Sequence, residues 1–315
     1  MTPIVSICVS VKNRSRLFVD GRTLTLLPHC VRSIAEAAEE LAEPVELVVA
    51  DFRSDDWPLA EWLAPAARSL QVQLLAVDEP FSRGRGLNVA SRSARSDRFL
   101  LLDADMLLGA VVLRRGLECI AEGQVWFPVC RCLDAAGRVT GWQDWGYGNV
   151  GLMRQDLERA GPVPEYDSWG GEDYVLRDRL AQRCRIIRER AGGLFHQWHP
   201  ESARHVHYGK PEFADYRAHQ AREEASSRGG VVASFDCVHP SWRGVLHCYA
   251  DGTMARPGVD EGRYEFDEGR RIVLAWERWP PEELRWDAAR NVYRHPQKPF
   301  VMKLQSAARR EIANA

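Results

Sequence analysis

Two acidic clusters carry the chemistry that this chain can offer. Asp103-Ala104-Asp105 closes an apolar run, and Trp169-Gly170-Gly171-Glu172-Asp173 opens a stretch with helical spacing. Residues 98–102 read as a short buried strand, so Asp103 and Asp105 alternate in direction as it runs out. One carboxylate can then face a divalent cation while the other reaches a ribose or a water. A hard cation held by few carboxylates neutralises a diphosphate leaving group and keeps sites open for phosphate oxygens. By itself, Asp-x-Asp after a strand equally suits a solvated turn.

The second cluster adds a different function. Residues 173–182 place apolar side chains at helical spacing, which sets Glu172 and Asp173 at a helix N-terminus, where the helix dipole favours negative charge. The paired glycines let backbone approach a ligand, and Trp169 offers an aromatic face suited to a sugar ring. An ordinary capped helix with a buried Trp would show the same residues. Farther on, His196 and His199 lie in the Gly-flanked run Gly192-Gly193-Leu194-Phe195-His196-Gln197-Trp198-His199-Pro200. An isolated histidine is more often a satisfied structural residue than a ligand, and these two lie close together in one short segment.

In this order the motifs resemble those of GT-A glycosyltransferases, in the branch holding the β-1,4-galactosyltransferases and the bacterial family 2 chondroitin-polymerase-type enzymes. Ser10-Val11-Lys12-Asn13-Arg14 is similar to that branch's opening nucleotide-binding segment. The run from Phe81 to Ala90 resembles its Phe-Asn-Arg-Ala-x-x-Leu-Asn-x-Gly segment, with Ser82 and Ala90 departing from it. The stretch from Trp145 to Met153 resembles the aromatic and glycine segment that precedes the acceptor loop, and the two acidic motifs fall in family order.

The resemblance implies a metal site of Asp105 with His196, or His199 as the near alternative, loaded with Mn²⁺ (or Mg²⁺). It implies a UDP-sugar donor held by Asn13, Arg14, Asp51, Arg83, Asn88 and Asp103, with Trp169, Gly170 and Gly171 against a sugar. Asp173 becomes the catalytic base, with Glu172 bonding sugar hydroxyls. Asp173 stands where retaining relatives tend to carry Asn, which favours inversion. The implied activity is transfer of a hexose or N-acetylhexosamine to a glycan or glycolipid hydroxyl in surface-polysaccharide synthesis. A retaining transferase and a non-catalytic carbohydrate-binding protein stay open as alternatives. A nucleotidyltransferase would show a Gly-rich triphosphate loop near the N-terminus, and residues 10–14 are not one.

Elements that could position these residues are legible around them. Strand patterns at 4–11, 45–51, 72–77 and 98–103 alternate with helical patterns at 24–41, 58–70 and 86–94. Such alternation implies an α/β fold with a mainly parallel sheet whose ligands sit outside the strand C-terminal ends, where Asp51 and Asp103 fall. With 315 residues, 45% hydrophobic and 27% charged, the chain has the composition of a globular protein, and its length suggests about two domains. The boundaries read as a transferase domain over 1–225, a small antiparallel β module over 231–300 and a tail over 301–315, helical or frayed. Trp242, Trp276, Trp279 and Trp286 are expected to form the module's core, with a sugar platform as the alternative. Turns are expected at Asp251-Gly252 and Asp267-Glu268-Gly269.

A net charge of −2 gives no electrostatic case for nucleic acid. Eight scattered cysteines read as reduced core residues. No apolar run approaches the ~20 residues of a membrane span. With strand-like residues from position 4, the expectation is a cytoplasmic enzyme, with peripheral membrane association left open.

Overall fold

The computed structural model describes residues 2–267 and 270–307. It divides into two compact units, 1–216 and 217–315.

In the first unit a nine-stranded sheet is built around Val5–Val11, every residue of which is buried. Burial on both faces is met here by Val and Ile interleaved with the small side chains Ser6, Cys8 and Ser10 in place of exposed polar residues. Val45–Asp51 pairs parallel to it on one side and Arg98–Leu102 on the other, with Gln71–Ala76 beyond Val45–Asp51. Beyond Arg98–Leu102 the sheet becomes mixed, in the order Val150–Met153, Gln124–Leu133, Arg185–His196 and Met106–Leu108; Val139–Trp142 folds back on Gln124–Leu133. The α/β architecture with a parallel half is the one expected for a GT-A fold.

Period-2 alternation divides the core into two layers. Ile7, Val9, Leu47, Val49, Leu100 and Leu102 face the helices Leu26–Leu41, Leu59–Ala67 and Ala110–Cys119. Cys8, Val48, Ala50, Phe99 and Leu101 face Arg83–Ser93, Arg154–Ala160 and Glu172–Ala181. Ser82, where the resembled motif carries Asn, is the N-cap of Arg83–Ser93, its hydroxyl accepting from the Arg85 N–H. Because strand order reverses between Val5–Val11 and Arg98–Leu102, the loops leaving their C-terminal ends diverge and open a crevice. Among the described residues no helix is long and apolar enough to cross a membrane.

The second unit holds a closed antiparallel barrel of eight strands, Val231–His239 through Val301–Ala307, in which the first strand pairs with the last. Two expectations are corrected here. The segment after residue 300 is not a helix: Val301–Ala307 is a strand between Val231–His239 and Val292–Arg294, and residues 308–315 lie outside the described range. Its role is closure, since an open sheet would leave two unpaired edges. The tryptophans are also not the centre of this unit. Phe235, Leu246, Met254, Ile272, Leu274, Leu284, Tyr293, Phe300 and Met302 fill the interior. Trp276 packs with them, Trp242 and Trp286 sit partly buried against them, and Trp279 is 62% exposed. The Asp251-Gly252 turn is present, with the Asp251 carboxylate accepting from the Thr253 N–H; the expected turn at 267–269 includes Glu268 and Gly269, outside the described residues.

Because the last strand completes the barrel, a chain ending at Lys298 should leave Val231–His239 and Val292–Arg294 each unpaired along one edge. Limited trypsin digestion should then cut throughout 231–294 under conditions that spare the full chain. Equal protection of both chains would show that closure is not needed.

Candidate active site cleft

A cleft of about 270 Å³ opens in the first unit outside the C-terminal ends of the parallel strands. It is lined by Asp103, Asp105, Glu172, Asp173, His196 and His199, so both acidic clusters and both histidines meet there. The meeting depends on one short ladder. Directly after Asp105, Met106–Leu108 pairs antiparallel with the end of Arg185–His196, setting His196 opposite Met106. The Gln197 N–H then donates to the Asp105 carbonyl at 2.9 Å.

As a result Asp105 Oδ2 lies 3.1 Å from His199 Nε2 and 3.8 Å from His196 Nε2. One ligand atom from each of the three residues lies within 4.8 Å of the others. His199 Nδ1 faces the Pro200 carbonyl at 3.1 Å, an acceptor that orients the ring with Nε2 toward Asp105. Burial works against ionisation of Asp105, but the two imidazoles, with a smaller part from Arg14, outweigh it and hold the carboxyl well below the usual carboxylate range. Its other oxygen, Oδ1, is buried with no partner among the described residues. A buried, unpaired carboxylate oxygen beside two imidazoles fits a divalent ion. Where the sequence offered His196 or His199, the structure brings both together with Asp105.

Arg83, expected at the nucleotide, lines the cleft and bonds to three segments of the fold. Its Nε donates to Asp103 Oδ1 at 2.6 Å, its Nη1 reaches Glu172 Oε1 at 3.5 Å, and its Nη2 donates to the Gly148 carbonyl. One guanidinium thereby ties a strand end, a loop and a helix start. The Glu172 carboxyl is pushed up to about 7, chiefly by burial, with Arg83 opposing and Asp173 adding to the rise. Its Oε2 is buried and has no hydrogen-bond partner among the described residues.

Asp173 is oriented by the loop across the cleft. Its Oδ2 accepts from the Tyr147 N–H at 2.7 Å. The two glycines before it have a steric reason that differs from ligand approach. Gly170 and Gly171 have φ of +93° and +96°, and a Cβ would lie 2.6 Å from the Phe213 ring and 2.3 Å from the Tyr216 ring. Only glycine combines that backbone with those neighbours. Trp169 lines the cleft, with its ring edge-on to Phe213 and His205.

Three residues expected to touch the nucleotide do not line the cleft. Asn13, at φ +51°, exchanges bonds with Asp55, Nδ2 donating to Oδ1 at 2.8 Å and Oδ1 accepting from the Asp55 N–H at 2.9 Å. Asp51 sits at its strand end, its carboxylate accepting from the Ser54 N–H at 3.0 Å. Asn88 is buried and clasps Val163, donating to its carbonyl and accepting from its N–H at 2.9 Å each. Arg14 does line the cleft, with Nη2 donating to the Ala203 carbonyl at 2.6 Å. The wall that sequence reading missed is Arg204, Tyr208 and Phe213. Tyr208 packs edge-on to Phe81 at 5.1 Å. The aromatic density of residues 205–216 was the available signal.

No family model matches the chain. Curated relatives do. Chondroitin sulfate N-acetylgalactosaminyltransferase 2 of Mus musculus is 30% identical over 151 residues, 40% of this chain and 28% of that protein. Chondroitin sulfate synthase 3 of Mus musculus is 29% identical over 153 residues, 42% of this chain and 17% of that protein. Chondroitin sulfate N-acetylgalactosaminyltransferase 1 of Mus musculus is 24% identical over 208 residues, 57% and 39%. The matched stretch is thus well under half of each relative's length. Among solved structures, S. aureus TarS 1-349 in complex with UDP-GlcNAc covers 62% of this chain and 59% of its own at 15% identity, with a TM-score of 0.48, a likeness on which nothing below rests.

The bonds of Asn88 make it a structural clasp. Asn88→Ala, which strands the buried Val163 N–H, should lower stability by about 1–3 kcal/mol in urea denaturation. Wild-type stability together with weakened UDP binding would instead make it a ligand contact.

Proposed function

We propose that this chain is a metal-assisted, inverting glycosyltransferase that moves a hexose or N-acetylhexosamine from a UDP-sugar to a hydroxyl of a glycan or glycolipid. The observation that carries it is the convergence, in one cleft, of the Asp105–His196–His199 cluster with an Asp173 carboxylate oriented by the Tyr147 N–H. The names of the curated relatives support the N-acetylhexosamine option, N-acetylgalactosamine in particular.

Asp105, His196 and His199 would hold the metal. Two imidazole nitrogens beside one carboxylate suit Mn²⁺ better than Mg²⁺, which prefers an all-oxygen shell. The ion's contribution, when bound, is to neutralise charge on the departing diphosphate. The protein's residues supply the rest. With Oδ2 held by the Tyr147 N–H, Asp173 presents Oδ1 to the incoming hydroxyl. That hydroxyl oxygen bonds to the anomeric carbon from the face opposite the phosphate and gives its proton to Asp173 as the bond forms. The carbon–oxygen bond to phosphate breaks with its electrons leaving on UDP. Late transfer makes an ordinary carboxylate adequate, because the hydroxyl becomes acidic only as it bonds. Glu172, protonated below about pH 7, offers a hydroxyl-bonding group, while Arg83 fixes it relative to Asp103.

Release of UDP from a panel of UDP-sugars, with and without Mn²⁺ and with the product's anomeric configuration followed by NMR, tests the reading. Metal-dependent release with inversion is expected; retention of configuration or absence of release overturns it.

Two variants assign the roles. Asp105→Ala and His199→Ala should each weaken Mn²⁺ binding by about 10-fold or more, read by electron paramagnetic resonance titration. Undiminished Mn²⁺ affinity in both would put the ion elsewhere.

Asp173→Asn keeps shape and the Tyr147 bond while removing basicity. Turnover should drop at least ~10²-fold with UDP affinity nearly unchanged. Substantial residual turnover would pass the role to Glu172.

A further inference from the structure

The loop from Gln143 to Asn149 forms one wall of the cleft, and it is fastened at every residue but one that carries a large side chain. The Gln143 N–H donates to the Cys130 carbonyl at 2.9 Å. Asp144 is gripped by two arginines of the Arg185–His196 strand: Arg190 donates to both carboxylate oxygens at 3.1 and 2.8 Å, and Arg188 donates to its carbonyl at 2.8 Å. The Tyr147 ring lies between the guanidinium groups of Arg177 and Arg188, at 4.5 and 4.1 Å, and edge-on to Phe127. Trp145 alone projects outward. It lines the cleft, is 58% exposed, and among the described residues has no ring, cation or hydrogen-bond partner.

An exposed indole is costly to leave in water and, being held on a pinned loop, loses little entropy when something covers it. Trp169, the aromatic that sequence reading assigned to a sugar, already has Phe213 and His205 against it. Trp145 is 58% exposed and has no such ring partner among the described residues. It stands two residues from Tyr147, whose N–H orients Asp173, so its Cα lies within about 7 Å of that anchor. Trp145 and the carboxylate that would receive the acceptor proton line the same cleft. The metal cluster, which serves the diphosphate, is built from other segments, Asp105 and the end of the Arg185–His196 strand.

We propose that Trp145 is the platform for the acceptor glycan, stacking on the apolar C–H face of a pyranose ring and setting which hydroxyl reaches Asp173. The proposal rests on the transferase reading of the cleft. It makes Trp145 a specificity residue for the acceptor and not for the donor.

Binding of unsulfated chondroitin, hyaluronan and chitin hexasaccharides, each with UDP and Mn²⁺ present, would be measured by calorimetry on the full chain and on Trp145→Ala and Trp145→Phe. Affinity for whichever hexasaccharide binds should fall about tenfold in Trp145→Ala and stay within about threefold in Trp145→Phe. UDP affinity should not follow it. In turnover with that acceptor, the alanine variant should raise acceptor KM more than it lowers kcat. Unchanged glycan affinity in Trp145→Ala overturns the proposal, as does a parallel loss of UDP affinity, which would make Trp145 a donor contact. Failure of the wild-type chain to bind any of the three overturns it as well. Failure of the underlying transferase reading shows separately, as absence of UDP release from any UDP-sugar by the wild-type chain.

Discussion

Arg83 sits among Asp103, Glu172 and the Gly148 carbonyl, and the cleft depends on that one guanidinium. Four carboxylates, Asp103, Asp105, Glu172 and Asp173, line a space of about 270 Å³. Uncompensated, they would repel one another in a region where water is too sparse to screen them. The fork geometry of arginine lets a single side chain face two acids and a carbonyl, which lysine could not reproduce. Removing one partner of a buried charge pair costs about 3–5 kcal/mol because the other is left unpaired. The arrangement therefore holds the strand end, the 143–149 loop and the start of Glu172–Ala181 in one register.

Positioning by short-range restraints repeats throughout the cleft. Asp105 is rigid because the strand that follows it pairs with the strand that ends in His196, and a backbone bond from Gln197 closes the corner. Asp173 is rigid because a backbone N–H holds one of its oxygens. In both cases one carboxylate oxygen is held within the fold, while Asp105 Oδ1 has no partner among the described residues and Asp173 lines the cleft. A site that must act on a bound ligand needs groups fixed in place yet incompletely satisfied, and these two acids meet both conditions. Glycine at 170 and 171 belongs to the same economy of space, since Phe213 and Tyr216 occupy the volume a side chain would need.

The second unit solves a separate problem. Eight short strands bury a core of Phe, Tyr, Met and aliphatic side chains and leave no open sheet edge, because Val301–Ala307 returns to the first strand. Its buried charges are paired within it, as where Glu282 accepts from His239, Trp276 and Lys298. Every group assigned here to donor or acceptor chemistry lies before residue 217, in the unit that holds the cleft.

The amino-acid sequence by itself determined what depends on neighbours along the chain. Short, predominantly apolar runs at 5–11, 45–51 and 98–102 marked strands buried on both faces, and helical periodicity after Gly171 set Glu172 and Asp173 at a helix start. The tertiary structure alone decided which polar side chains face the ligand. Asn13, Asp51 and Asn88 have the same chemical type as ligand contacts, yet they bond Asp55, Ser54 and Val163 and lie outside the cleft lining. Arg83 finds its partners 20, 65 and 89 positions away, and the choice between His196 and His199 vanished once a ladder bent both toward Asp105. Trp145 and Trp169 look alike in sequence, and only packing shows which ring is left uncovered. Local pattern records periodicity and burial, whereas the partner of a side chain is set by which segments the folded core brings together, and no short window of sequence contains that information.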